Sequence, residues 1–305
     1  MLKTRIGLTL LVLATFYSGT SYAQQQGVLL LAHGGNPDWN AQVTKLAQSV
    51  DRTKPTEVAF GMATRANIQS AVDRLKARGV TDIVAVPLFV SSWSSVITST
   101  EYLLGQRMEA PPELALFAKM SHSTPEASHG AGGHDAHGGH AAGSPDPTSP
   151  VTTTLPIRMT PALNDHPVVA EILTSRASSI SKNAAEEAIV IVAHGPTKDA
   201  ENQMWLKDMS SIADRVKSSG TFASVDYMTL RDDAPKPIRD KATADLREIV
   251  QKRIAEGRRV LILPLLVSFG GIERGLRERL EGLSFSMPAT GLVPDDRLVT
   301  WILER

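Results

Sequence analysis

Cysteine is absent from this chain of 305 residues, which excludes disulfides, iron–sulfur clusters and Cys-ligated zinc. A basic excess is missing too. The chain carries 32 Lys plus Arg against 32 Asp plus Glu, so its charge balance points to no nucleic-acid partner. Its N-terminal apolar run, Ile6 to Phe16, is too short to span a bilayer. No Gly-x-Ser-x-Gly elbow, Walker loop or dinucleotide fingerprint occurs, which removes the nucleophile-elbow hydrolases and the common nucleotide-binding motifs.

What is present reads as globular: 42% hydrophobic and 21% charged residues, in a length that accommodates two domains. The N-terminus reads as a signal peptide. Lys3 and Arg5 form a positive n-region, Ile6 to Phe16 an apolar core, and Ser21-Tyr22-Ala23 a small-x-small cleavage site. Removal of residues 1–23 leaves a mature chain with a net charge near −2 and no membrane span. The expected location is a bacterial periplasm or outside the cell; the other reading of the segment is an uncleaved anchor.

The most informative stretch is Val28-Leu29-Leu30-Leu31-Ala32-His33-Gly34-Gly35. A short run that is apolar on both faces fits a buried strand of a parallel sheet. The glycines turn the backbone and leave the imidazole at the C-terminal end of the strand, where open parallel sheets bind ligands. Ile189-Val190-Ile191-Val192-Ala193-His194-Gly195-Pro196 repeats the pattern. Around each copy, strands and helices alternate. Helices are expected at 37–51, 66–78, 97–104, 167–180, 238–256 and 295–304, and strands at 57–60, 83–90, 113–119, 225–230 and 260–267. Gly79 and Gly257 stand as helix caps, and Pro87 and Pro264 fall in equivalent strands, which demands a strand end or a bulge there. Leu163 to Arg176 and Leu292 to Arg305 form equivalent tails. The expected fold is α/β, with two tandem lobes facing each other across a cleft, each a parallel sheet flanked by helices: lobe 1 over residues 27–184 and lobe 2 over 187–305. Residues 121–150, almost wholly His, Gly, Ala, Ser, Pro and Asp, interrupt lobe 1 as a disordered insertion.

His33 and His194 are the two histidines expected at strand ends, where a neutral imidazole can ligate a first-row metal. The same His-Gly pair also reads as a plain turn, with the ring bonded to a carbonyl. An oxyanion hole lacks its nucleophile, and phosphoryl-transfer mutases place Arg where Ala32 and Ala193 stand here. The insertion carries His122, His129, His134, His137 and His140, a nitrogen-rich tract suited to Ni, Co, Cu or Zn, or else a solvated linker.

The strand ending Leu-Ala-His-Gly-Gly, then Val58-Ala59-Phe60, Gly79-Val80, Val86-Pro87-Leu88-Phe89-Val90 and the Leu163-to-Arg176 tail resemble the class II chelatases of the sirohydrochlorin cobaltochelatase and ferrochelatase type. Val192-Ala193-His194-Gly195, Leu263-Pro264-Leu265-Leu266-Val267 with Gly270-Gly271, and Leu292 to Arg305 repeat the likeness. The resemblance implies a tetrapyrrole between the lobes. At each first strand end it implies a histidine, matched by His33 and His194, that receives a divalent metal and helps insert it as the pyrrole protons leave. The family's second His falls at about Trp93 to Ser95 and at Gly270 to Glu273, and neither place holds one. Its acidic residue falls at Met62; in the second half an acid lies near, but out of register, within Thr229-Leu230-Arg231-Asp232-Asp233. Glu273, Asp232 and the insertion's histidines are candidate substitutes. The expectation is an exported sirohydrochlorin chelatase-like protein, of the lyase-type chelatases of siroheme and cobalamin biosynthesis. It would bind divalent Co, Fe, Ni or Zn and a tetrapyrrole. The rival is a non-catalytic periplasmic metal- or haem-binding, metal-buffering protein with a degenerate site.

Overall fold

A computed structural model describes residues 25–120 and 145–305. The expected signal peptide and the five histidines of the insertion lie outside the described residues. In lobe 1 the order is β1 (Gln26–Ala32), α1 (Pro37–Asp51), β2 (Thr56–Phe60), α2 (Arg65–Ala77), β3 (Asp82–Pro87), α3 (Ser95–Leu103), α4 (Leu114–Met120), β4 (Ile157–Met159) and α5 (Pro167–Ile180). Lobe 2 runs β5 (Glu187–Ala193), α6 (Asp199–Ser219), β6 (Ser224–Thr229), α7 (Lys236–Ala255), β7 (Arg259–Leu265), α8 (Ile272–Arg279) and α9 (Asp296–Leu303). Both sheets are wholly parallel, with orders β2-β1-β3-β4 and β6-β5-β7, so the His-bearing strand has a neighbour on each side in each lobe.

The strands are continuous apolar runs because both of their faces are covered. Leu29 and Leu31 turn outward onto α2, while Val28, Leu30 and Ala32 turn inward. In lobe 2, Val190 and Val192 face α7 and α8, and Ile189, Ile191 and Ala193 turn inward. The two inward faces share one core with α1, α5, α6 and α9 between the sheets. The molecule is therefore layered: outer helices, sheet, inner helices, sheet, outer helices.

The inner layer is built by exchange. α5 ends lobe 1 in sequence but packs against α6 and β7, and α9 closes the chain against α1. Arg176 of α5 donates to the carbonyls of Gly291 (3.0 Å), Leu292 (3.3 Å) and Pro294 (2.7 Å), in the loop that leads into α9. Lys54 donates to the Leu303 carbonyl at 2.8 Å. The Arg of the Leu163-to-Arg176 tail thus has a structural task, tying the lobes to each other.

The prolines sit where the sequence requires. Pro87 is the last residue of β3. Pro264 lies in β7, which among the described residues pairs only with β5 apart from one bridge to Ser286. The Ile262 N–H donates outward to Ser286 O at 2.8 Å. Pro264, two residues on, turns its donor-free nitrogen to the same unpaired edge. Gly79 and Gly257 take φ +80° and +75°, as helix caps need.

Two expectations are corrected. The stretch 113–119, expected as a strand, forms helix α4, which buries Leu114 and Ala118 one turn apart and leaves Leu116 exposed; Pro111 and Pro112 stand just ahead of it, where prolines suit a helix start. The disorder expected over 121–150 does not extend through 145–150. The buried Arg65 guanidinium donates from Nε to the Ser149 carbonyl (3.0 Å) and hydroxyl (3.1 Å) and from an Nη to the Pro150 carbonyl (3.2 Å), and these bonds hold that segment down. Helix α3 lies where a helix over 97–104 is expected, and α6 and α8 are additions to the sequence reading.

Candidate functional site

Each lobe presents its first histidine immediately beyond the central strand. Gly34 and Gly195 take φ +81° and +77°. A Cβ at Gly195 would also meet Thr229 Cβ at 2.5 Å, so only glycine makes this turn without displacing the next strand.

His33 is exposed, and its Nδ1 lies 2.7 Å from the Gly34 carbonyl. A carbonyl only accepts, so Nδ1 carries the proton and the Nε2 lone pair is left for another group. Beside it lies the loop after β2: a Cβ at Gly34 would stand 3.5 Å from Phe60 Cβ and 3.8 Å from the Gly61 nitrogen, just ahead of Met62.

His194 is better equipped. Its side chain is partly buried, and Nε2 lies 3.4 Å from Asp233 Oδ2, a residue of the loop after β6. That distance is long for a charge-assisted hydrogen bond. It matches two ligands held about 2.1 Å from one tetrahedral ion, which lie about 3.4 Å apart. Arg231 positions the pair. Its backbone, at φ +55°, donates to the His194 carbonyl at 2.6 Å. Its guanidinium bonds the carbonyls of Pro196 and Thr197 and the Asp199 carboxylate. The β5–α6 and β6–α7 loops are thereby clamped together.

The other candidate substitutes are already engaged. Asp232 pairs with Arg279 at 2.6 Å, and Glu273 Oε2 accepts the N–H groups of Gly270 (3.1 Å) and Gly271 (2.8 Å) at the start of α8. His166, in the lobe 1 tail, caps α5: its Nδ1 accepts the Val168 N–H at 3.2 Å. Burial holds that ring's pKa below the ordinary imidazole value, which suits an Nδ1 that must stay unprotonated to accept. Among the described residues no group of three His, Cys, Asp or Glu is arranged to hold a metal.

The lobes meet around these loops. Trp39 of α1 lies against Gly35 of its own lobe and Gly270 of the other; a Cβ at either glycine would meet the indole at 2.9 and 3.1 Å. On the other side, Lys198, next to α6, bridges Glu113 (2.5 Å) and Glu201 (3.7 Å). The Lys198 contact holds the Glu113 carboxyl below its usual range, whereas burial pushes that of Glu201 up. Further along α6, Asp208 accepts the Trp93 indole N–H at 3.1 Å, and Trp205 donates its own to the Trp93 carbonyl at 2.7 Å. Burial raises the Asp208 pKa. The sequence reading singled out neither α6 nor the Arg231 clamp. The Arg-Asp-Asp run after β6 was visible, but which acid turns to His194 is set by the positive φ at Arg231.

Residues 27–114 match the CbiX family model. No curated protein matches the chain by sequence. Among solved structures, SirB from Bacillus subtilis, determined with Fe3+, superposes with a TM-score of 0.59 at 13% identity, over 92% of this chain and 94% of that one. CbiX, described as the terminal enzyme of siroheme biosynthesis in denitrifying bacteria, gives 0.51 at 15% identity, over 91% and 96%. A multi-domain protein from Deinococcus radiodurans with structural similarity to chelatases gives 0.53 at 15% identity, over 92% of this chain and 54% of that one. Residues 27–114 thus carry the sequence of the CbiX family, and the described chain has the two-lobed α/β fold of the class II chelatases.

Proposed function

We propose that this protein is an exported metal chelatase of the sirohydrochlorin type, binding a divalent cation (Co, Fe, Ni or Zn) as cargo and a tetrapyrrole between its lobes. The observation that carries the reading is the His194–Asp233 pair at 3.4 Å, at the mouth of the lobe 2 sheet. One nitrogen and one oxygen ligand leave the remaining positions on the ion to water or to ring nitrogens. Such a site strips part of the hydration shell yet can release its ion to a better ligand. His33 offers a single free nitrogen in the equivalent place of lobe 1.

His122, His129, His134, His137 and His140 are proposed to gather the cation. The described chain leaves for that tract at the end of α4 and returns at Pro145. The residue just before α4, Glu113, is ion-paired to Lys198, four residues from His194.

A second reading, a periplasmic metal or haem binder that does not turn over, is favoured by one observation. Lobe 1 carries Met62 and Trp93 where the family places an acid and a second histidine. The two readings separate by rate. The mature protein is incubated with sirohydrochlorin and Co2+, and the change in absorbance is compared with that of the His33→Ala, His194→Ala double variant. A chelatase loses most of its insertion rate in the double variant. A binder changes spectra or affinity and leaves the rate at that of the uncatalysed mixture.

A further inference from the structure

We infer that Trp93 is the platform on which lobe 1 seats the flat face of the macrocycle, so that lobe 2 handles the metal and lobe 1 the ring. This rests on the tetrapyrrole reading above and assigns to lobe 1 a task other than metal ligation.

The loop after β3 is held with unusual completeness. The Ser92 N–H donates to Asn164 Oδ1 at 2.7 Å, and Ser92 Oγ accepts the Ala162 N–H at 2.9 Å. Ser91 Oγ accepts the Trp93 N–H at 3.1 Å. From the other lobe, Trp205 and Asp208 of α6 hold the Trp93 carbonyl and indole N–H. Despite this anchoring, Trp93 keeps 40% of its surface open. An indole recruited for stability would be buried, as Trp301 is at 1%. One fixed from both lobes and left two-fifths open offers rigid aromatic surface at little entropic cost to a ligand that packs on it.

Position and chemistry select a conjugated macrocycle as the occupant. α6 begins five residues after His194, and at 1.5 Å per residue Trp205 and Asp208 lie about 9 and 14 Å from its first residue. Trp93 and the His194–Asp233 pair therefore both border the first three turns of α6 and the loop before it. Asp208 already takes the indole N–H at the ring edge, so a ligand adds to Trp93 through the ring face. An indole does not ligate a cation through its N–H, so Trp93 can serve the ring and not the metal.

The test uses the mature protein, metal-free uroporphyrin as the ring probe, and Co2+ alone as the metal probe. Binding of uroporphyrin is followed by its absorbance shift and by quenching of tryptophan fluorescence. Trp93→Ala weakens it at least about fivefold, Trp93→Phe stays within about twofold of wild type, and neither changes Co2+ affinity. The Phe variant decides between roles, because it keeps a stacking face and loses the bond to Asp208. Equal losses in both variants would mean that the Asp208 bond is structural, and would overturn the platform. Unchanged affinity in both would overturn it as well. If Trp93→Ala does not fold, Trp93→Leu carries the same expectation. Failure of the wild-type protein to bind uroporphyrin would instead sink the tetrapyrrole reading itself, and the platform with it.

Discussion

His194 and Asp233 make the sharpest residue-level difference between the lobes. Both histidines stand at the end of a central strand, and among the described residues only His194 has a carboxylate at ligand spacing. Asp233→Ala is therefore expected to weaken Co2+ binding at lobe 2 by at least about tenfold, the scale on which even residues behind the ligands act. Asp232→Ala, which breaks the pair with Arg279 instead, leaves Co2+ affinity unchanged and lowers thermal stability. Isothermal titration and a melting curve check the two. Sequence alone placed both histidines correctly, because an apolar run that stops at His-Gly has few other structural meanings. It pointed to Asp232, whereas the residue beside His194 is Asp233. That choice depends on a left-handed turn at Arg231, a conformation that a residue other than Gly or Asn does not advertise.

The elements carry the stability of the arrangement, and α9 is the most exposed to test. It buries Leu298, Trp301 and Ile302 in the core shared by both sheets and sits on α1 of the opposite lobe. Trp301→Ala is expected to cost about 3–5 kcal/mol, read as a lower midpoint in urea. Its N-cap adds a pH dependence. Burial would raise the Asp295 pKa, but bonds from the Arg297 side chain and N–H and the charge of Arg176 hold it below the usual carboxylate value. A carboxyl depressed in the folded state contributes stability that is present above its unfolded pKa and lost as pH falls through its folded one. Asp295→Asn should therefore destabilise the protein at pH 7 and shrink the stability lost on acidification to about pH 3. A variant as acid-sensitive as wild type would contradict this. The sequence showed α9 and α5 clearly through their matching tails. It gave no sign of α6, since charged residues are interspersed along its length and its apolar face is narrow.

At the scale of the whole molecule the lobes are not separable. The sequence reading of two tandem βα units is visible in the two sheets, and strand order follows from the alternation of elements with right-handed crossovers. The exchange of α5 and α9 was hidden, because hydrophobic periodicity says that a helix has an apolar face and not which sheet receives it. The consequence is a single cooperative unit. Residues 25–184 alone would leave α5 without α6 and β7, and α1 without α9. This fragment is expected to be unfolded or aggregated by circular dichroism and light scattering, whereas the mature chain unfolds in one transition. Two separate transitions would contradict the shared core.

The central claim is that lobe 2 holds the cargo metal through His194 and Asp233. It is tested most directly by titrating Co2+ into the mature protein lacking residues 121–144, so that the His-rich tract contributes nothing. The account predicts one Co2+ bound per chain, abolished by His194→Ala, weakened by Asp233→Ala and little changed by His33→Ala. Undiminished binding in the His194→Ala variant would contradict it.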